Sequence, residues 1–446
     1  MMTKMTITLP EHSVMRSADF TYGVATAAFQ IEGGANERIN NIWDTFCAKQ
    51  GTIVDGSNGD IACDHFHLWQ QDVELIASLG VDAYRFSVSW GRVLNQDGSV
   101  NQAGMNFYIQ LLDKLNQLNI KPYVTLYHWD LPQHIEDNGG WQNRQTAYLF
   151  QDYAAKVAQA FGGRVHSYAT LNEPFCSAYL GYEEGIHAPG IQSQQAGRAA
   201  AHHLLLAHGL AMQVLQQYAP DSLNGIVLNF TPAYSLTDSA ADKAATQYAE
   251  DYHNQWYIKP LFDRCYPSII DSLPDAVKPP IEAGDMDIIA QPLDFLGINF
   301  YTRAVYRADD KHIFEQVMDL DVPRTDIGWE IYPQAMTELL CSLNERYNLP
   351  PIYITENGAS IDDEIEAGIV DDVRRVNYYH QHLNAVHQAC EQGVNVQGYF
   401  AWSLMDNFEW AEGYLKRFGI VYVDYATQKR TIKSSGLAYK QLITQR

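Results

Sequence analysis

The sequence predicts a single (β/α)8 barrel, and three observations carry the prediction. Eight short, mostly apolar, β-rich runs recur along the chain. Segments with helical spacing of apolar residues lie between them. No Gly/Ser/Pro-rich linker divides the 446 residues. Strands buried on both faces read as continuous apolar runs, and eight of them alternating with helices close into a barrel. A doubly wound open sheet is the rival, but no GxGxxG follows the first run. Length alone suggests about three domains, yet barrels run longer as one unit. One domain over 1–446 is expected, with a core at 20–445 and an N-terminal extension at 1–19.

The strands are expected at 23–27, 83–88, 122–127, 165–171, 225–230, 295–299, 352–356 and 396–402. Before the second, Trp69, Val73, Ile76 and Leu79 repeat at helical spacing, and Gly80 supplies a C-cap. Phe107, Leu111, Leu115 and Leu118 precede the third in the same way. Leu206, Leu210, Val214 and Tyr218 form another such stripe, stopped by Pro220. Spacings of roughly 40 to 70 residues between strands exceed a minimal βα unit, so long loops are expected above the strand ends. The stretch 303–332 reads as one such loop. The acidic run 362–372 reads as another, solvated rather than metal-binding.

Composition excludes several classes. Lys plus Arg total 30 against 53 Asp plus Glu, a net charge of −23. No basic surface exists to neutralise nucleic-acid phosphates or to dock on an anionic membrane. No apolar run reaches the length of a membrane span. The N-terminus lacks the apolar stretch of a signal peptide, so a cytoplasmic location is expected. The six cysteines show no CxxC pair and are expected to be free thiols. His65 and His67, like His202 and His203, are spaced wrongly to share a helix face as metal ligands.

In a barrel, catalytic groups come from the C-terminal ends of strands. Two strands end in a carboxylate inside a polar cluster: Thr-Leu-Asn172-Glu173-Pro, and Ile-Thr-Glu356-Asn-Gly. A pair across a barrel mouth is the minimum kit for glycoside hydrolysis, one acid for the leaving oxygen and one base or nucleophile at the anomeric carbon. Other strand ends gather Gln30 and Glu32, His128 and Trp129, Asn299 and Tyr301, and Trp402 running on to Glu409 and Trp410. Hydroxyl-rich ligands need many hydrogen-bonding groups beside an apolar ring face, and this mix offers both.

These motifs together resemble glycoside hydrolase family 1, of the β-glucosidase type. The similarity runs from about Phe20 to Tyr425 and includes Gly23–Gly33, Tyr84–Trp90, Leu126–Pro132 and Trp402–Trp410 in order. The resemblance implies a retaining glycosidase acting on terminal non-reducing β-D-glucosyl, β-galactosyl or β-fucosyl residues. It implies that Glu173 is the acid/base and Glu356 the nucleophile, at a carboxyl separation of about 5 Å. Arg85 and Tyr301 match groups that hold and polarise the nucleophile, with Asn299 as a polar support. Gln30, His128, Asn172 and Glu409 match binders of sugar hydroxyls. Trp402 matches the stacking platform, with Trp410 and Trp129 on the same wall. Cys176, Glu183 and Trp329 are candidates for the aglycone rim. Tyr22, Phe29 and Phe300 depart from the usual family residues without touching the carboxylate pair. The expected partner is a small carbohydrate, with no metal and no organic cofactor; a homo-oligomer stays open. The rivals are a 6-phospho-β-glycosidase and a non-catalytic sugar-binding relative. The charge of Glu409 is expected to repel a phosphate, and the presence of both carboxylates argues against a dead relative.

Overall fold

The computed structural model describes residues 6–446, so only part of the expected N-terminal extension is covered. Eight parallel strands close a barrel: β1 (Thr21–Ala25), β2 (Ala83–Ser87), β3 (Lys121–Tyr127), β4 (Ser167–Asn172), β5 (Leu223–Phe230), β6 (Phe295–Phe300), β7 (Ile352–Asn357) and β8 (Val396–Trp402). Each strand pairs with its chain neighbours, and β8 closes the ring against β1, with Gly23 opposite Phe400. All eight expected strands are present. The ends differ by up to two residues, the first strand beginning earlier because Thr21 and Tyr22 already pair with Gly398 and Tyr399.

Helices follow the strands in order: α1 (His65–Leu79), α2 (Gln102–Gln117), α3 (Gln145–Phe161), α4 (Gln194–Tyr218), α5 (Ala240–Glu250), α6 (Gln334–Arg346), α7 (Val373–Glu391) and α8 (Ser434–Thr444). The apolar stripes explain them. Val73, Ile76 and Leu79 of α1 are buried, and Gly80 ends the helix at φ +73°, a conformation that costs a glycine little. In α2, Phe107, Leu111 and Leu115 are buried, and Asn101 caps the start.

Two loop expectations are corrected. The stretch 303–332 carries strands Ala304–Ala308 and Phe314–Gln316, which join Ala233–Ser235 in a small sheet. Strands this short leave little pattern in a sequence. The acidic run 362–372 is not simply solvated: Asp363 and Asp372 are buried. Arg375 pairs with both, and Lys433 Nζ lies 2.5 Å from Asp363 and 2.7 Å from Asp406. Asp406 also takes Arg417 at 2.6 Å and the Gly419 N–H at 3.0 Å. Buried charges persist only when paired; here Arg375 neutralises carboxylates close to it in sequence, and Lys433 reaches Asp363 from 70 residues away. Asp406 belongs to the segment after β8 that runs on to Glu409 and Trp410, so the network anchors the start of that segment. None of the six cysteines is in a disulfide; Cys63 and Cys176 are buried and Cys265 is exposed. Among the described residues, no helix is long and apolar enough to cross a membrane.

Candidate active site

The C-terminal ends of the strands bring the two expected carboxylates into one hydrogen-bonded chain. Glu356, in β7, is 3% exposed. Its Oε1 accepts from Arg85 Nη1 at 2.5 Å, and its Oε2 accepts from the Tyr301 hydroxyl at 2.6 Å. Burial and the Glu356 charge hold the Tyr301 phenol well above its ordinary pKa, so it stays a donor. Arg85 Nη2 then reaches Asn172 Oδ1 at 2.6 Å. Asn299 Nδ2 donates to the same Oδ1 at 3.1 Å and to Glu173 Oε1 at 2.6 Å. Arg85, Asn172 and Asn299 therefore connect Glu356 to Glu173.

The two carboxylates have different surroundings. Glu356 has a guanidinium and a phenol. Glu173 has no cation of its own: Asn299 serves Oε1, and the Cys176 thiol donates to Oε2 at 3.1 Å. Burial, and next the Glu356 charge, push the Glu173 pKa up to about 8. Divergent environments of this kind separate a proton-bearing carboxyl from an ionised one.

The wall residues assemble around this chain. Asn172 has spent its Oδ1 on two donors, so its Nδ2 donates to His128 Nε2 at 3.1 Å. Burial, and then Arg85, hold the His128 pKa well below normal. A neutral ring that accepts at Nε2 carries its proton on Nδ1, and that atom is buried without a partner. Gln30 Nε2 donates to Asn407 Oδ1 at 3.0 Å and to the Phe408 carbonyl at 2.8 Å, which leaves Oε1 unpartnered. Glu409 Oε2 is unpartnered too, and burial followed by the Glu356 charge raises the Glu409 pKa to about 8. Three polar atoms from three elements thus retain hydrogen-bonding capacity after the protein's own bonds are made. Unmet capacity of this kind costs stability and marks a place for a polar ligand.

Aromatic faces complete the site. The rings of Trp402 and Trp410 each lie 5.9 Å from His128 and nearly parallel to it. Trp129 packs on Trp410 at 4.5 Å, and its Nε1–H donates to the Asn172 carbonyl at 2.9 Å. Trp129, Glu173 and Trp410 all adopt positive φ, at +79°, +47° and +48°. Non-glycine residues in that region are strained, and such strain clusters at functional sites. Gly358 answers a tight approach, since an added Cβ would sit 1.7 Å from the Trp402 carbonyl oxygen.

The three rim candidates separate. Trp329 packs on Tyr301 at 5.2 Å and on Phe418 at 5.8 Å. Cys176 is buried against Glu173. Glu183 has both oxygens engaged: Arg198 holds Oε2 at 2.7 Å, and the Tyr252 hydroxyl donates to Oε1. Two supporting residues escaped the sequence reading although they stand in its motifs. Thr355 donates to Asn299 Oδ1 at 2.7 Å and orients that amide, and Asn407 anchors Gln30.

The sequence model of glycosyl hydrolase family 1 matches residues 13–446. The chain belongs to glycosyl hydrolase family 1. It is 45% identical over 433 residues to a β-glucosidase of Agrobacterium sp., covering 95% of this chain and 94% of that one. It is 41% identical over 452 residues to a bifunctional β-D-glucosidase/β-D-fucosidase of Bifidobacterium breve, covering 95% and 97%. The solved β-glucosidase of Thermotoga maritima in complex with glucoimidazole superposes with a TM-score of 0.94 at 40% identity, covering 96% and 98%. This family 1 chain is therefore a glycoside hydrolase with the (β/α)8 fold.

Proposed function

We propose that this chain removes terminal non-reducing β-D-glucosyl residues from oligosaccharides or aryl and alkyl glycosides by double displacement, with retention at the anomeric carbon. The observation that carries the reading is the contrast between the carboxylates: Glu356 is held by Arg85 and Tyr301, and Glu173 is loaded with a proton.

Glu173 gives its proton to the glycosidic oxygen as Glu356 attacks the anomeric carbon from the opposite face. The leaving group departs as an alcohol, and the sugar remains as an ester on Glu356. That ester is neutral, so the repulsion that raised the Glu173 pKa falls away. Glu173, now ionised, takes a proton from water as the water oxygen attacks the same carbon, and Glu356 leaves as a carboxylate. Two inversions give net retention. Gln30, His128 and Glu409 offer their unspent atoms to sugar hydroxyls, and Trp402 and Trp410 offer apolar faces. The B. breve relative's second activity supports the view that this hydroxyl-binding set also accepts β-D-fucosides.

Phosphorylated sugars are disfavoured by more than the charge of Glu409. With a pKa of about 8, Glu409 is mostly protonated near neutrality, so charge repulsion alone is weak. The nearest cations along the chain are committed elsewhere: Lys416 to the Asp326 carbonyl at 2.6 Å, and Arg417 to Asp406. A phosphate at Glu409 would lose its water without gaining a cation.

The test is a panel of p-nitrophenyl β-D-glucoside, β-D-fucoside, β-D-galactoside and 6-phospho-β-D-glucoside, assayed with wild type and Glu356→Gln. Hydrolysis of the unphosphorylated glucoside, abolished in the variant, is expected. Cleavage of the 6-phosphoglucoside alone would overturn the substrate assignment, and full activity of Glu356→Gln would overturn the site.

A further inference from the structure

We propose a divalent-cation site, of the chemistry that suits Zn²⁺, formed by His12, His387 and Glu391 on the face of the barrel opposite the candidate active site. The ligating atoms of these three side chains lie within 4.8 Å of one another. His387 and Glu391 stand four residues apart near the end of α7, so they share one face of that helix. Two ligands at that spacing on a helix are a common half of a zinc site. His12 arrives from the N-terminal segment, its ring 5.5 Å from that of His387 and its Nε2 3.6 Å from Glu391 Oε2.

A plain surface ion pair explains less of this arrangement. An exposed His–Glu contact is weak and needs no third group. His387, however, is 6% exposed, and its Nδ1 is shut from solvent without a hydrogen-bond partner. Buried ring nitrogens are ordinarily bonded. The other two groups, His12 and Glu391, are exposed. Tetrahedral zinc at about 2.0–2.2 Å from each ligand sets donors about 3.4 Å apart. The buried histidine is a fixed anchor, and the two exposed side chains need to close by up to about 1.4 Å. Water supplies the fourth position.

The location gives the site a purpose. α7 begins after the end of β7 and finishes just before β8, so Glu391 lies at the face where strands start. The segment that carries His12 runs along the same helix. The Thr8 N–H donates to His380 Nδ1 at 3.3 Å, and Asn384 Nδ2 donates to the Thr8 carbonyl at 3.0 Å. Residues 380, 384, 387 and 391 form one stripe, and a cation at its end would pin the N-terminal segment to α7. The net charge of −23 raises the local concentration of cations. Such a site alters stability and leaves the chemistry at Glu173 and Glu356 alone.

The experiment titrates the full chain with ZnCl2 by calorimetry at neutral pH, in a Cys265→Ser background because Cys265 is an exposed thiol. A parallel thermal melt and a β-glucoside assay accompany it. The expected result is one Zn²⁺ per chain, a higher Tm with zinc, and unchanged kcat. His12→Ala and Glu391→Gln should each weaken binding at least tenfold. His67→Ala, which disturbs the separate exposed contact of His67 with Asp64, should not weaken it. The proposal is overturned if wild type takes up no zinc, or if His12→Ala and Glu391→Gln bind as wild type does.

Discussion

Replacing Glu173 by Gln keeps the side-chain shape and removes only the transferable proton. Burial and the Glu356 charge raise the Glu173 pKa, so the carboxyl keeps near neutrality a proton that an ordinary carboxyl would have lost. General acid catalysis at such a position contributes about 10²–10⁴-fold. The assay compares two glucosides under steady-state and pre-steady-state conditions. For an alkyl glucoside, kcat/KM should fall by about 10²–10⁴. For a dinitrophenyl glucoside, whose anion leaves unaided, glucosylation should stay near the wild-type rate while deglucosylation slows, giving a burst. Azide, which needs no base, should restore turnover. The alkaline limb of the wild-type kcat/KM profile should also disappear. Equal losses on both substrates, or an unchanged alkaline limb, would refute the assignment of Glu173 as acid.

Further outcomes follow from the same geometry. Cys176→Ala removes the thiol that donates to Glu173 Oε2 and favours its ionised form, so the alkaline limb should move to higher pH; a downward move would contradict this. Glu409→Gln should lower kcat/KM on glucosides by about 2–10-fold through loss of a hydrogen bond between the carboxyl and a sugar hydroxyl. It should also stabilise the fold at alkaline pH. The folded pKa of Glu409, about 8, lies above its unfolded value, so the native state binds more protons and loses stability as pH rises toward and through 8. The Tm advantage of the variant should therefore widen with pH in thermal melts, and a constant gap would show that Glu409 does not titrate as stated. Lys433→Met leaves Asp363 with Arg375 and Asp406 with Arg417 as their remaining cations, and denaturant unfolding should report a loss of about 1.5–3 kcal/mol.

The barrel was legible because its strands are apolar runs and its helices carry regular stripes, as in Val73–Ile76–Leu79. Both signals are local. What escaped depends on distant partners. The acidic run 362–372 looked like solvent-facing loop because Lys433, which neutralises Asp363, stands 70 residues away. Glu183 looked available for a ligand until Arg198 and Tyr252 were seen to take both of its oxygens. The positions of Glu173 and Glu356 could be read from strand ends. Their roles, and the rise in the Glu173 pKa caused by the Glu356 charge, were implied by the family resemblance rather than by spacing; the partners that set them apart, Arg85 and Tyr301 on Glu356 and Asn299 on Glu173, stand on other strands. The His387–Glu391 spacing was visible in the sequence, but only folding brings His12 beside it.

Retention by double displacement requires that Glu356 form a covalent ester with the sugar. A 2-deoxy-2-fluoro glucoside with an activated leaving group slows both steps, and more so the second, so that the ester accumulates. Peptide mapping by mass spectrometry after this treatment tests the claim most directly. One fluoroglucosyl group per chain is expected, located on the peptide at Glu356 and absent from Glu356→Gln. A label on any other residue, or turnover with inversion and no label, would contradict it.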